Sequence, residues 1–214
     1  VPRAIITHGH SDHARPGHDH VLATPETLAI MRTRMGAERA GATQQPLPYG
    51  ETLRINDVNI KLVPAGHVLG SAQIVLEHAG SRVVISGDYK RQPDPTCAPF
   101  EPVICDIFVT EATFGLPVFR HPNPAGEIEK LLRSHALFPD RTHVIGAYSL
   151  GKSQRLIAML RQQGFDAPIY LHGAHANLCA LYESLGVPLG ELRPATVAQK
   201  AQPVSYTHLR AHET

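Results

Sequence analysis

Cysteine is scarce in this chain. Cys97, Cys105 and Cys179 are odd in number and lie far apart, which excludes a disulfide framework and a cysteine-rich zinc module and suits a reducing, cytoplasmic setting. No apolar run approaches the ~20 residues a helix needs to span a bilayer, and no signal peptide is visible, so no membrane association is expected. An excess of one charge is also missing: 20 Lys and Arg against 19 Asp and Glu leave a formal +1, which by itself is no mark of nucleic-acid binding. Locally, residues 117 to 175 carry Arg120, Lys130, Arg133, Arg141, Lys152, Arg155 and Arg161 against Glu127, Glu129, Asp140 and Asp166. That excess suits a phosphate-tracking face or an ordinary solvated helix surface equally well. Internal repeats and low-complexity linkers are absent. At 214 residues and 43% hydrophobic, the chain can build one or two modest cores.

What the chain does have is histidine in a pattern. His8 to His13 read H-x-H-x-D-H directly after the apolar run Ala4-Ile5-Ile6-Thr7. Alternate side chains leaving a strand end diverge, so three imidazoles and the Asp12 carboxylate cannot all face one ion, and two adjacent metals solve the geometry. Imidazole nitrogen and carboxylate oxygen suit Zn²⁺, with Mn²⁺ or Fe as weaker candidates. The alternative is a solvated histidine-rich loop, but an apolar strand feeding a ligand cluster is a rigid way to mount a metal site. Such a site needs further ligands at later strand ends. His67 follows the apolar stretch ending at Val63, inside a glycine-bearing turn, and Asp88 follows Val83-Val84-Ile85-Ser86-Gly87. Alone, each would pass for a loop residue; with the first cluster they complete a ligand set.

This order of ligands resembles the metallo-β-lactamase superfamily. The resemblance implies an α/β fold, an αββα sandwich, incomplete here at its N-terminus. It implies a first metal on His8, His10 and His67, a second on Asp12 and His13, and Asp88 bridging them. The stretch Asp106 to Gly115, with Glu111 at a strand end before Ala-Thr-Phe-Gly, resembles the first signature of the β-CASP branch, which cleaves nucleic acids. Ala147 to Gln154 resembles that branch's inserted domain. Within the branch, residues 8–17, 113–122 and 170–174 look most like bacterial ligase-associated DNA exonucleases. The domains implied are a core over 1–116, a partial βαβ-type β-CASP insert over 117–202, and a tail over 203–214 that resembles a translated sequencing adaptor.

By the same resemblance Asp12, Asp88 and Glu111 are the catalytic carboxylates. Glu111 would orient a histidine that protonates the leaving oxygen, and that histidine, like the last ligand of the second metal, would lie downstream of the matching region. Lys152, Ser153 and Gln154 would contact substrate, Lys152 and the following helix N-terminus holding a phosphate by charge and free backbone N–H groups. The function implied is phosphodiester hydrolysis by a bridging hydroxide between two divalent ions. DNA would be the substrate in preference to RNA, with DNA ligase and helicase as partners and the fragment itself inactive. A small-molecule thioester or lactam hydrolase of the same superfamily, an RNA-processing endonuclease and a non-catalytic nucleic-acid-binding relative are the alternatives. A P-loop ATPase is another, because residues 146–153 match G-x-x-x-x-G-K-[ST] between an apolar run and a helix. The bulky Ala-Tyr-Ser-Leu interior and the lack of a following metal-binding Asp speak against it.

Periodicity places strands at residues 2–7 and 20–24, then a helix from Pro25 to about Met35 capped by Thr24. A half-buried strand pair is expected over 52–63, and a hairpin of 72–77 with 82–86 around Ala79-Gly80-Ser81. Beyond Gly115 the pattern predicts a helix from Asn123-Pro124 to about Ala136, a buried strand over 142–148, a helix over 152–163 and a strand over 167–172. His18, His20, His78, His121, His135 and His143 lack partners at ligand spacing and read as surface or capping residues. His172 and His175 read as a chance pair with no acid or thiol beside them.

Overall fold

The structure, a computed structural model, describes residues 1–195. The expected tail over 203–214 and the last residues of the expected insert lie outside the described residues. The chain divides into two compact units, one over Val1–Thr113 and one from Phe114 onward, where the sequence puts a boundary at 116/117.

In the first unit, β1 (Arg3–Ile5), β2 (His20–Ala23) and β3 (Thr43–Pro46) form a parallel three-stranded sheet in that order. Helix α1 (Pro25–Met35) joins β2 to β3. It starts where the sequence says it should: Thr24 Oγ1 accepts from Thr27 N at 3.2 Å and Pro25 occupies the first turn, where a missing N–H costs nothing. Leu28 and Met31 of α1 pack with Ile6, Val21 and Ala23 on one face of this sheet.

The second sheet has five strands, β4 (Thr52–Ile55), β5 (Val58–Pro64), β6 (Ala72–His78), β7 (Ser81–Ile85) and β8 (Ile107–Val109), in sequence order. The first four are antiparallel and β8 lies parallel to β7. Leu22 from the first sheet packs with Leu47, Ile60, Leu62, Ala72 and Ile74, so the sheets bury each other's apolar faces. The far face of the five-stranded sheet carries Val63, Val75 and Val84, covered by Val103 and Cys105 from the preceding loop. The layers are therefore helix, sheet, sheet. The expected hairpin forms with a tighter turn: Ala79 (φ 50°) and Gly80 (φ 83°) make the turn alone, and Ser81 already pairs with His78.

In the second unit, α2 (Pro124–Leu137) begins at Asn123, whose Oδ1 accepts from Ala125 N, and α3 (Lys152–Gln162) begins after Gly151. Strands β9 (Ile169–Leu171) and β10 (Leu192–Pro194) pair in parallel, joined by α4 (Gly173–Ser184). The buried strand expected over 142–148 does not form, and Val144 stays 62% exposed. Only Gly146 within the run makes an isolated bridge, and a single bridge without a continuing ladder does not build a strand. Strands β3 and β10 carry no signal in the sequence: Thr-Gln-Gln-Pro and Leu-Arg-Pro lack the apolar alternation that marks a strand.

Candidate metal centre

Three loops leave the two sheets at one end. The β5–β6 ladder closes at Pro64 opposite Ala72, so residues 65–71 loop out from there, and β7 leaves the same end toward Asp88 because Ile85 sits opposite Ile74. The loop after β1 is tied to them by Ala72 N donating to Thr7 O at 2.7 Å. Glycine is required at two of the turns. Gly66 (φ +71°) would place a Cβ 2.4 Å from Lys90 O, and Gly87 (φ +55°) would place one 2.7 Å from the Thr7 side chain.

The result is a group of four donors, His8, His10, His67 and Asp88, whose ligating atoms lie within 4.8 Å of one another. His67 Nε2 sits 3.2 Å from His10 Nδ1, and Asp88 Oδ2 sits 3.6 Å from His67 Nε2 and 3.8 Å from His8 Nε2. A tetrahedral Zn²⁺ with bonds of about 2.0–2.1 Å spaces its ligands about 3.3–3.4 Å apart, close to these separations. His8 is fully buried, and its Nε2 makes no hydrogen bond although polar groups surround it. A buried ring nitrogen left without a hydrogen bond is costly, and a metal at this point would satisfy it. On the other side of Asp88, Oδ1 lies 3.3 Å from His13 Nε2, and the His13 ring packs 4.2 Å from that of His8. Asp12 stands apart from the four-donor group. Its carboxylate is 69% exposed and reaches His13 Nε2 at 3.6 Å.

The protonation states favour ligation. Burial first, and then the neighbouring imidazoles, push His8 down to about 2 and His67 down to about 4, so both rings are neutral at physiological pH. The hydrogen bond with His13 holds the Asp88 carboxyl down at about 2 and raises His13 in return. Neutral His8 and His67 beside an ionised Asp88 are the form a divalent ion requires, while His13 must give up its proton to ligate.

Several positioning residues carry no motif. Ser71 Oγ accepts from both His67 N (3.0 Å) and Val68 N (3.2 Å), fixing the turn that aims His67. Thr24 and Thr27 Oγ1 donate to Gly70 O, and Tyr49 Oη donates to Ser71 O. Arg34 of α1 donates to Gly9 O at 2.6 Å, clamping the loop between His8 and His10. Only Ser71 left a trace in the sequence, as a hydroxyl four residues after His67 in a glycine-bearing turn.

The remaining predicted residues lie elsewhere. Glu111 turns its carboxylate onto its own backbone, accepting from Thr113 N at 2.7 Å. Lys152 is exposed, its ammonium 4.6 Å above the Tyr148 ring. Ser153 and Gln154 are fully buried. Ser153 Oγ donates to Ser149 O, while Gln154 donates to Ser149 O and accepts from Gly151 N. The free N–H groups expected at this helix start are not free. Gly151 N goes to Gln154, Lys152 N to Leu150 O and Ser153 N to Tyr148 O. A phosphate cradle needs those donors open, and the strand it should follow is reduced to one bridge at Gly146, so the ATPase reading loses both supports. His172 caps α4 through Nδ1, while His175 is buried within it.

No family model matches the chain. A probable DNA ligase of Opitutus terrae is 34% identical over 203 residues, covering 91% of this chain and 19% of that protein. A ribonuclease of Thermus thermophilus is 28% identical over 86% of this chain and 49% of its own length. An uncharacterised protein in the lig 3′ region of Acidianus ambivalens is 32% identical over 132 residues, 59% of this chain and 89% of that protein. This chain belongs to the family of that Acidianus protein. It spans about a fifth of the Opitutus relative and about half of the Thermus one. Together the relatives are consistent with the β-CASP metallo-β-lactamase family that the motifs resemble. Among solved structures, a protein of unknown function from Enterococcus faecalis matches with a TM-score of 0.63 at 13% identity, over 99% of this chain and 59% of that one. It shares the mixed α/β fold. No helix among the described residues is long and apolar enough to cross a membrane.

Proposed function

We propose that this chain is the metal-binding part of a phosphodiester hydrolase acting on nucleic acid, a β-CASP nuclease of the metallo-β-lactamase superfamily. The observation that carries the reading is how Asp88 divides its carboxylate, Oδ2 toward His8 and His67 and Oδ1 toward His13. A carboxylate shared between two groups of imidazoles suits two adjacent divalent ions. In this reading His8, His10 and His67 hold the first, Asp12 and His13 the second, and Asp88 bridges, with Zn²⁺ the best match to the donors and Mn²⁺ the alternative. When bound, such a pair supplies Lewis acidity toward a phosphoryl oxygen and a water acidic enough to attack phosphorus near neutral pH. Burial around His8 and His67 keeps the donors neutral and in place, and Arg34, Ser71, Thr24 and Thr27 hold the loops that present them. Glu111 keeps the carboxylate that would orient the leaving-group histidine, and Lys152 offers the ammonium for a substrate phosphate. Ser153 and Gln154 shape the turn from which Lys152 projects. The helix, sheet, sheet layering over 1–116 serves as three layers of an αββα core, and 117–202 as the β-CASP insert.

The ligase name of the Opitutus relative favours DNA and the Thermus ribonuclease favours RNA; an exonuclease working beside a ligase and helicase is what the motif resemblance adds to the DNA reading. Elemental analysis of the purified chain and of its His8→Ala/His10→Ala variant tests the centre: near-stoichiometric metal in the first and none in the second is expected. Labelled DNA and RNA strands of one sequence, offered beside a thioester and a lactam, then test the substrate class. Cleavage of a small ester or lactam with both strands intact would overturn the nuclease reading.

A further inference from the structure

Phe114 to His121 leave apolar rings in solvent where a core residue would be buried. Phe114 is 60% exposed and Phe119 45%, with Leu116 and Val118 more open still. Large apolar groups clustered on a surface mark an interaction site more often than chance exposure. The rings are ordered against each other. Phe114 and Phe119 have centroids 5.3 Å apart at 80°, and Phe114 and His121 have centroids 5.2 Å apart at 88°. A turn in which Phe119 N donates to Leu116 O at 3.1 Å holds the two phenylalanines together. Near-perpendicular packing sets the edge of one ring against the face of its neighbour, so each contact covers one face and leaves the opposite face of that ring for a ligand. From Ala112 to Gly126 there is no acidic residue, and Arg120, within this stretch, is exposed and in no ion pair among the described residues. Aromatic faces beside a cation that makes no ion pair among the described residues, in a stretch without acid, match a strand that offers unpaired bases and backbone phosphate together. A protein partner would need no such freedom from acid.

We propose that Phe114, Phe119 and His121 form a stacking platform for the unpaired bases of a single nucleic-acid strand, with Arg120 meeting its phosphates. The proposal rests on the nuclease reading and deepens it, because it assigns single-stranded rather than duplex nucleic acid as the bound form.

The test is fluorescence anisotropy of labelled single-stranded DNA, single-stranded RNA and blunt duplex DNA of one mixed sequence, with the 214-residue chain in EDTA. The wild type is expected to prefer single strands. Phe114→Ala/Phe119→Ala should weaken single-strand binding at least ~10-fold, in line with the cost of losing a stacked ring, and leave duplex binding unchanged. Phe114→Tyr/Phe119→Tyr, which keeps the faces, should bind as the wild type does. Circular dichroism should show every variant folded. Single-strand affinity within twofold of wild type in the alanine variant would overturn the proposal. So would a parallel loss of duplex and single-strand binding, or a wild-type dimer in light scattering that the alanine variant abolishes. Because binding is read without metal, the two readings fail separately. Metal uptake without single-strand preference sinks the platform alone, and single-strand preference without metal uptake sinks the proposed centre alone. RNA bound like DNA supports stacking as the shared chemistry, whereas binding that demands a 2′-hydroxyl would overturn it.

Discussion

The turn that carries His67 and the turn that carries Lys152 are both glycine-bearing loops beside apolar runs, yet one is held from outside and the other holds itself. Around His67, hydroxyls of Thr24, Thr27 and Tyr49 reach Gly70 and Ser71, Ala72 N reaches Thr7, and Lys90 N reaches Ala65. These partners come from elsewhere in the unit, so the turn has its shape only when the whole unit folds. Around Lys152 hydrogen bonds run among Tyr148, Ser149, Leu150, Gly151, Ser153 and Gln154, and Gln154 also donates to Cys179 Sγ. A loop gripped from outside can press imidazoles together against desolvation and mutual repulsion, which is what lowers His8 and His67. A loop satisfied by itself fixes its own shape and one exposed ammonium, and little more.

The contrast is broken most severely at the ligands. His8→Ala/His10→Ala should take bound metal from near-stoichiometric to none by elemental analysis, whereas Lys152→Ala should keep full metal and lose affinity for a labelled oligonucleotide, read by anisotropy. Equal metal loss in both would erase the distinction. The next effect is on folding. Gly66→Ala drives a Cβ into Lys90 O at a left-handed backbone position, and a cost of about 2–4 kcal/mol in urea denaturation is expected. Gly146, with open space around it and no positive φ, should tolerate alanine within about 0.5 kcal/mol.

Smaller effects sharpen the comparison. Ser71→Ala removes the acceptor for two N–H groups of the His67 turn. It should weaken metal binding roughly 10–100-fold, as loss of a supporting contact does, in competition with a chromophoric chelator. Gln154→Ala should leave metal affinity unchanged. The mildest test is pH on the metal-free protein. The folded values of His8 and His67, about 2 and about 4, lie below the ordinary 6.5. Between those values the unfolded chain therefore binds more protons. The share of stability that depends on these two rings should be constant above about pH 6.5 and decline as pH falls toward 4. His13, raised by Asp88, acts in the opposite sense: its contribution is present at low pH and fades as pH rises through its folded value. Asp88, held at about 2, adds a further loss as pH falls below its ordinary 3.8. His8→Ala should flatten the decline in chemical denaturation across this range, and an unchanged slope would count against the buried neutral ring.

Much of the first unit is legible in the chain because its signals are local. Thr24-Pro25 starts α1 where capping chemistry demands, and Ala79-Gly80 closes the β6–β7 hairpin through two left-handed residues. The second unit reads less well. An apolar run at 142–148 predicts a strand, but a strand needs a ladder neighbour, and composition does not say whether one arrives. Exposed Ile107, Phe108 and Val109 in β8 show the converse, a strand formed by pairing with β7 although its side chains stay largely in solvent.

By itself the sequence determined which side chains are available as ligands, their order, the caps of α1 and α2 and the hairpin turn, since each depends on neighbours within a few residues. Only the tertiary structure decided that His8, His10, His67 and Asp88 meet within one group while Asp12 stands outside it, and that the Gly151 turn spends its own N–H groups. Distances between donors from different loops depend on sheet register and on hydrogen bonds between remote segments, such as Ala72 to Thr7 and Arg34 to Gly9. No local pattern encodes those.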